Sequence, residues 1–161
     1  MEKIKIAEYP NLDTTHLNLD AINAKAFHEL KANIQFLCQG KESKIIMIAS
    51  AEKNEGRSTT AAYLASVMAE SGKKTVLVDC DQKDSSLHNM FNLSNDKGLV
   101  NFLSGDIKLE AAVKTTEKKN LSIVTSGEVS LNYAELLVSS KFDEFLGKIG
   151  RASCRERVFA G

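Results

Sequence analysis

Tryptophan is missing from this 161-residue chain, proline occurs once, at Pro10, and 21 basic residues are matched by 21 acidic ones. Zero formal charge removes any global field that would draw the protein onto nucleic acid or an anionic membrane, so electrostatics names no partner and no nucleic acid is expected. The three cysteines, Cys38, Cys80 and Cys154, are far apart and form no C-x-x-C pair. That spacing argues against both a disulfide framework and a zinc site. His16, His28 and His88 share no i, i+4 face with one another or with a carboxylate cluster, which removes a histidine metal centre. No apolar stretch nears the roughly 20 residues that span a bilayer. The start, Met1-Glu2-Lys3, has no secretory apolar region, so a cytoplasmic location is expected.

What is present is enough apolar material for one core. Hydrophobic residues make up 43% of the chain, and its length lies within the single-domain range. Residues 1–19 are polar, lack a sustained period and read as an arm. Asp20 is placed to cap a helix in which Phe27, Leu30, Ile34 and Leu37 recur at three- and four-residue steps, ending near Gln39-Gly40. Ile45–Ala49, Thr75–Val78 and Leu121–Thr125 read as buried strands. Ser58 to Ser71 reads as a helix, with Gly72 to stop it. Strand, loop, helix and strand in that order form a βαβ unit of a mainly parallel α/β sheet flanked by helices. Short helical turns are expected between Gly98 and Ala112, and helices at 134–139 and 141–148. No internal repeat or low-complexity tract interrupts the pattern.

The loop between the first strand and its helix carries the chemistry. Ala51-Glu52-Lys53-Asn54-Glu55-Gly56-Arg57-Ser58-Thr59 is nearly a phosphate-binding P-loop, G-x-x-x-x-G-K-[ST], and not quite one. Ala51 stands for the first glycine, Gly56 and Ser58 are in register, and Arg57 replaces the lysine. Consecutive backbone N–H groups entering a helix N-terminus answer the charge of a phosphate chain with aligned donors and the helix dipole. Gly56 permits close backbone approach, and Asn54 is among the non-glycine residues that best tolerate positive φ. The cofactor-binding set is therefore Asn54, Glu55, Gly56, Arg57, Ser58 and Thr59, with the Ser58 hydroxyl as a Mg²⁺ ligand. Arg57 keeps the charge on a longer, forked group, which is expected to weaken binding and to damage transfer more.

Val76-Leu77-Val78-Asp79-Cys80-Asp81 ends the second strand in two carboxylates. If the strand continues through them, their alternation points both to one side. At the carboxyl end of a parallel strand they can hold Mg²⁺ or accept a proton from an attacking hydroxyl. Capping of the next segment by either one is the alternative.

Three strands are too few to close such a sheet, which reads as incomplete at the C-terminus. Residues 149–161 resemble an out-of-frame translation of a sequencing-adapter oligonucleotide and are set aside from the fold, leaving a nucleotide-binding domain at 20–148.

Together, Asn33-Ile34-Gln35-Phe36, Ile46–Glu52, Glu55–Ala62, Gly72–Asp81, Ser86-Leu87-His88, Leu93–Leu99, Phe102–Gly105 and Ala134–Leu137 with Ser140-Lys141-Phe142 resemble the bacterial tyrosine kinases of capsular and exopolysaccharide synthesis. The resemblance implies a P-loop NTPase fold and ATP with Mg²⁺ as cofactors. It also implies autophosphorylation on a tyrosine tail, a ring of subunits, and activation by a membrane-embedded polysaccharide co-polymerase at the inner face of the cell membrane. By position, Arg57, Asp79 and Asp81 take the catalytic roles, and Ser58, Asp79 and Asp81 the metal. Lys25, His28 and Lys31 replace the family's Glu-x-x-Arg-x-x-Arg helix, which weakens ring assembly. Lys83 stands for an arginine, and Ser130-Leu131-Asn132-Tyr133 for a proline-rich loop. A strand ending in the Walker B aspartate and a tyrosine-rich tail are both lacking, so weak or absent kinase activity is expected. Two other readings stay open: a non-catalytic nucleotide-dependent regulator, and a partitioning or cell-division ATPase, although such ATPases usually carry a lysine where Ala51 stands.

Overall fold

The computed structural model describes residues 21–39, 44–152 and 156–160; the arm at 1–19, the Asp20 cap and the Gly40 stop lie outside the described residues. The chain runs α1 (Ala21–Leu37), β1 (Lys44–Ile48), α2 (Arg57–Glu70), β2 (Thr75–Asp79), α3 (Leu87–Met90), α4 (Leu99–Ser104), α5 (Leu109–Ala112), β3 (Val113–Thr115), β4 (Leu121–Val124), α6 (Tyr133–Leu137), α7 (Ser140–Ala152) and β5 (Glu156–Ala160). The sheet order is β1-β5-β2-β4-β3. Every neighbouring pair is parallel except β3 with β4.

Alternation along the strands divides the apolar side chains between two layers. Leu77, Leu121, Ile123, Val158 and Ala160 face α2, whose Ala61, Leu64, Ala65 and Met68 bury against them; Phe27 and Ile34 of α1 pack on the outside of that layer. Val76, Val78, Val124 and Phe159 face the other way, onto Phe102 of α4 and Phe145 and Ile149 of α7. Phe145 is fully buried, its ring centroid 5.6 Å from that of Phe102. Because both faces of the central strands are covered, these strands read as unbroken apolar runs rather than alternating ones.

Five strands are found among the described residues where the sequence suggested three. β3 is a three-residue antiparallel partner of β4, too short to show a period. β5 comes from the tail set aside above. It pairs with both β1 and β2, and its Arg157 occupies a buried position with Nη1 donating to the Leu146 carbonyl at 2.8 Å. It runs between the two strands that carry the candidate site, yet its residues Arg157 to Ala160 bring no carboxylate to their carboxyl end. β1 is left at the sheet's edge, with Ile45 53% and Met47 76% exposed.

A tight backbone crossing pins α4 to the end of β4. Leu99 N–H donates to Thr125 O at 2.8 Å and Val100 N–H to Ser126 O at 2.9 Å, while the Asn95 side chain accepts from Gly127 N–H. A Cβ at Gly98 would lie 2.3 Å from both Gly127 N and Thr125 O. These neighbours are backbone and cannot swing aside. Gly98→Ala is therefore expected to cost about 1–3 kcal/mol, the usual penalty for forcing an extra group into a packed region, read as a lower urea midpoint at unchanged slope.

Candidate functional site

The connection from β1 to α2 folds as a phosphate loop for local reasons. Asn54 has φ 62° and Gly56 has φ 83°, two left-handed turns within three residues, so the asparagine does adopt the positive φ for which its type is suited. Gly56 is the N-cap of α2 and provides no side-chain cap. The first helical turn has no acidic residue either. The helix's leading N–H groups are thus uncapped by the chain itself, which makes this end an anion acceptor. Upstream, the Glu55 carboxylate accepts from the amides of Ala51 (3.1 Å) and Glu52 (3.2 Å), and Ser50 Oγ donates to Glu52 O at 2.8 Å. Glu55 braces the loop from within.

At the carboxyl end of β2 the two acidic residues part company. The strand stops at Asp79 and the chain turns, so alternation no longer applies across Cys80. Asp79 is fully buried. Its Oδ1 accepts from Asp81 N–H at 3.1 Å, and its Oδ2 from Ser85 Oγ at 3.2 Å and Leu87 N–H at 3.3 Å. Burial drives its carboxyl above the ordinary value despite these donors. Ser85 Oγ in turn lies 3.1 Å from His88 Nδ1. Asp81 instead reaches outward: Oδ1 accepts from Asp84 N–H at 3.0 Å, and Oδ2 takes Arg57 Nη2 at 2.6 Å, with side chains 16% and 21% exposed.

Asn54, Gly56, Arg57, Ser58, Thr59 and Asp81 border one cavity of about 240 Å³. Of the residues singled out from sequence, Glu55 and Asp79 are not on its wall. Lys53, Asp84 and Ser86 are; Lys53 lies within the loop motif and Ser86 within a block of the family resemblance, but sequence reasoning assigns none of the three to the site. Lys53 Nζ bridges the mouth to Asp84 Oδ2 at 2.7 Å, which raises the lysine's pKa. Position within the loop was the signal that could have picked out Lys53. Tyr133 was also missed as a site residue. Its hydroxyl donates to Cys80 O at 2.7 Å and so ties α6 to the turn between the two aspartates. Burial pushes that hydroxyl's pKa upward, and burial with Asp79 nearby pushes the Cys80 thiol up to about 12. In α1, Lys25 lies 3.8 Å from Glu29.

A larger groove, of about 810 Å³, runs between the α4–α5 turn and α7. Its Lys141 and Lys148 lie over the Phe102 ring and share the single carboxylate of Glu144, at 3.8 and 2.6 Å respectively. The smaller cavity is the one with phosphate chemistry.

Comparison with known proteins agrees with that chemistry. A family model described as an AAA domain matches residues 43–148. The tyrosine-protein kinase YwqD of Bacillus subtilis (strain 168) is 39% identical over 124 residues, 77% of this chain and 52% of that protein. The chain thus spans about half the length of this curated relative. Among solved structures, the chimerical protein CapA2B2 superposes with a TM-score of 0.82 at 27% identity, covering 94% of this chain and 66% of that one. The septum site-determining protein MinD complexed with Mg-ADP, from Pyrococcus horikoshii, aligns more loosely, with a TM-score of 0.61 at 26% identity over 73% of this chain and 48% of that one. From the loop, the sheet and these likenesses together, the chain belongs to the AAA-domain family of P-loop NTPase type, on its bacterial tyrosine-kinase branch.

Proposed function

We propose that this chain is the ATP-binding portion of a cytoplasmic tyrosine-protein kinase that regulates capsular or exopolysaccharide synthesis, with phosphoryl transfer impaired. The observation that carries the proposal is the convergence of the uncapped N-terminus of α2, the Ser58 hydroxyl and the Asp81 carboxylate on one cavity at the carboxyl ends of β1 and β2. In the related MinD structure the bound species is Mg-ADP.

The donor set fits the cofactors. The amides of Arg57, Ser58 and Thr59 and the Arg57 guanidinium suit a polyphosphate. Ser58 and Asp81 offer hard oxygen ligands, the sparse set that Mg²⁺ accepts when it keeps waters and phosphate oxygens for its remaining positions. Mg²⁺ so held would neutralise charge on the phosphates. Asp79 supports this set from behind, holding by its buried carboxylate the turn that presents Asp81. The proposed roles are therefore Asn54, Gly56, Arg57, Ser58 and Thr59 for the nucleotide, Ser58 and Asp81 for the metal, and Arg57 and Asp81 for transfer; Glu55 and Asp79, expected from sequence to join the nucleotide set and the metal and transfer sets, lie off the cavity wall and act as positioning residues.

Impairment follows from Arg57, whose planar fork does not present charge as an ammonium does and which is committed to Asp81. A membrane-embedded polysaccharide co-polymerase as activator, and a subunit ring weakened by Lys25, His28 and Lys31, belong to the same proposal. So does a place at the inner face of the membrane reached through that partner; among the described residues no helix is long and apolar enough to cross one. The arm at 1–19, the domain at 20–148 and a foreign origin for 149–161 complete it. The sequence of the parent locus tests that origin. A nucleotide-dependent regulator without transfer is the second reading, favoured by the same Arg57–Asp81 contact.

Calorimetry with ATP and Mg²⁺ is expected to give a measurable binding heat that Ser58→Ala reduces. Arg57→Lys should tighten binding about tenfold, or about 1.4 kcal/mol. Absence of heat from the unaltered chain would sink the reading.

The two aspartates should also separate in unfolding experiments. Asp79→Ala leaves two amides and a hydroxyl without their buried acceptor and is expected to cost about 1–3 kcal/mol, whereas Asp81→Ala should cost under about 1 kcal/mol, since its ion pair is partly solvated. Because burial raises the folded pKa of Asp79, its titration favours folding most at acid pH. That contribution is fully present below the unfolded carboxylate value of about 3.9 and is lost as pH rises through the folded one. The stability gap between wild type and Asp79→Asn should therefore narrow from pH 3 to pH 7 in urea titrations.

A further inference from the structure

Ser85 is flanked by two residues of the cavity wall, Asp84 and Ser86, but its own side chain works behind that wall, on the buried carboxylate of Asp79 and on a histidine. Its Oγ is 3.2 Å from Asp79 Oδ2 and 3.1 Å from His88 Nδ1. Neither Ser85 nor His88 borders the cavity. Resting on the nucleotide reading above, we infer that His88 is a positioning residue, held as the neutral Nδ1–H tautomer, which acts through Ser85 and Asp79 to keep Asp81 and the adjoining wall in register with the phosphate loop.

The direction of the chain follows from counting protons. Asp79 Oδ1 accepts from the Asp81 amide at 3.1 Å and Oδ2 from the Leu87 amide at 3.3 Å, and backbone amides can only donate. A carboxylate so surrounded is an acceptor, so the third group on it, the Ser85 hydroxyl, gives it its single proton. The hydroxyl then has only lone pairs left for His88. Nδ1 must therefore carry the hydrogen, which leaves Nε2 of the neutral ring bare. Free histidine favours the opposite tautomer, so the arrangement leaves a signature that mere packing of the ring would not. Hydrogen bonds in series polarise one another, and each donor here strengthens the next.

The chain reaches the site because the groups it holds lie on one turn. Asp79 fixes the Asp81 amide, Asp81 Oδ1 accepts from the Asp84 amide at 3.0 Å, and Asp84 pairs with Lys53 across the mouth at 2.7 Å. His88 is anchored at the other end. It stands in the four-residue helix α3 beside Leu87, whose side chain is fully buried and whose amide is itself on Asp79. The imidazole thus ties the start of α3 to the tip of β2. A side chain that touches no ligand in this way sets how Asp81 stands opposite the N-terminus of α2.

The test pairs a spectrum with a titration. A long-range ¹H–¹⁵N correlation spectrum of the whole ¹⁵N-labelled chain is recorded at about pH 8.5, where histidines are ordinarily neutral. His88, identified among the three histidines by the loss of its signals in His88→Asn, is expected as the Nδ1–H tautomer, and Ser85→Ala should return it to Nε2–H. In fluorescence titrations with N-methylanthraniloyl-ADP and excess Mg²⁺, Ser85→Ala and His88→Ala should each weaken binding about fivefold, the size of one hydrogen bond. His88→Asn keeps an N–H near the Nδ1 position and should stay within about twofold of wild type. An Nε2–H tautomer in the wild type overturns the inference, as does unchanged affinity in His88→Ala; both leave the nucleotide reading intact. Equal weakening in His88→Asn and His88→Ala marks the ring as packing alone and overturns it too. No binding by the wild type overturns the nucleotide reading and the positioning role with it. Should the variants at 85 or 88 fail to fold, His16→Gln and His28→Gln assign the spectrum by elimination, and the tautomer of the unaltered chain decides.

Discussion

A single buried carboxylate organises the functional end of this molecule. Asp79 is sealed at the tip of β2, and its oxygens gather the amides of Asp81 and Leu87 and the hydroxyl of Ser85 into one turn. Burying a charge is costly unless hydrogen bonds answer it, and here the turn supplies them. The carboxylate dictates the path of the chain, and the path places Asp81 opposite the N-terminus of α2. Without that constraint the cavity would have a phosphate loop on one wall and nothing acidic on the other.

Around this turn the architecture is a scaffold for two strand ends. β1 delivers the loop and β2 the aspartates, and α2 joins them by the crossover that a parallel pair requires. Tyr133 braces the same turn from α6, so residues distant in sequence converge on Cys80 and its neighbours. The site is therefore held from three sides by elements whose own positions are fixed by core packing. The loop itself is held by Glu55, whose carboxylate serves the two amides farthest from the helix and leaves those nearest to it for a ligand.

Much of this was legible in the residues. α2, β1, β2 and β4 announced themselves because their apolar runs are long enough to carry a period or a breaker, and Asn54 and Gly56 announced the turns of the loop by their tolerance of positive φ. What escaped was decided by tertiary context. Asp79 and Asp81 looked equivalent because alternation holds only while a strand lasts, and this one ends between them. Lys53 and Asp84 meet only because the turn brings them together. β5 is a strand because an open slot lies between β1 and β2; Glu156-Arg157-Val158-Phe159-Ala160 has little strand character of its own, and register with two neighbours overrides that weak preference.

The free side of β1 bears on the solution life of the protein. Among the described residues no strand lies beside the outer side of Lys44–Ile48, where Ile45 and Met47 are exposed, the combination that templates further strands. With 21 basic residues matched by 21 acidic ones, no net charge holds molecules apart, so rising concentration invites sheet-to-sheet growth at this margin.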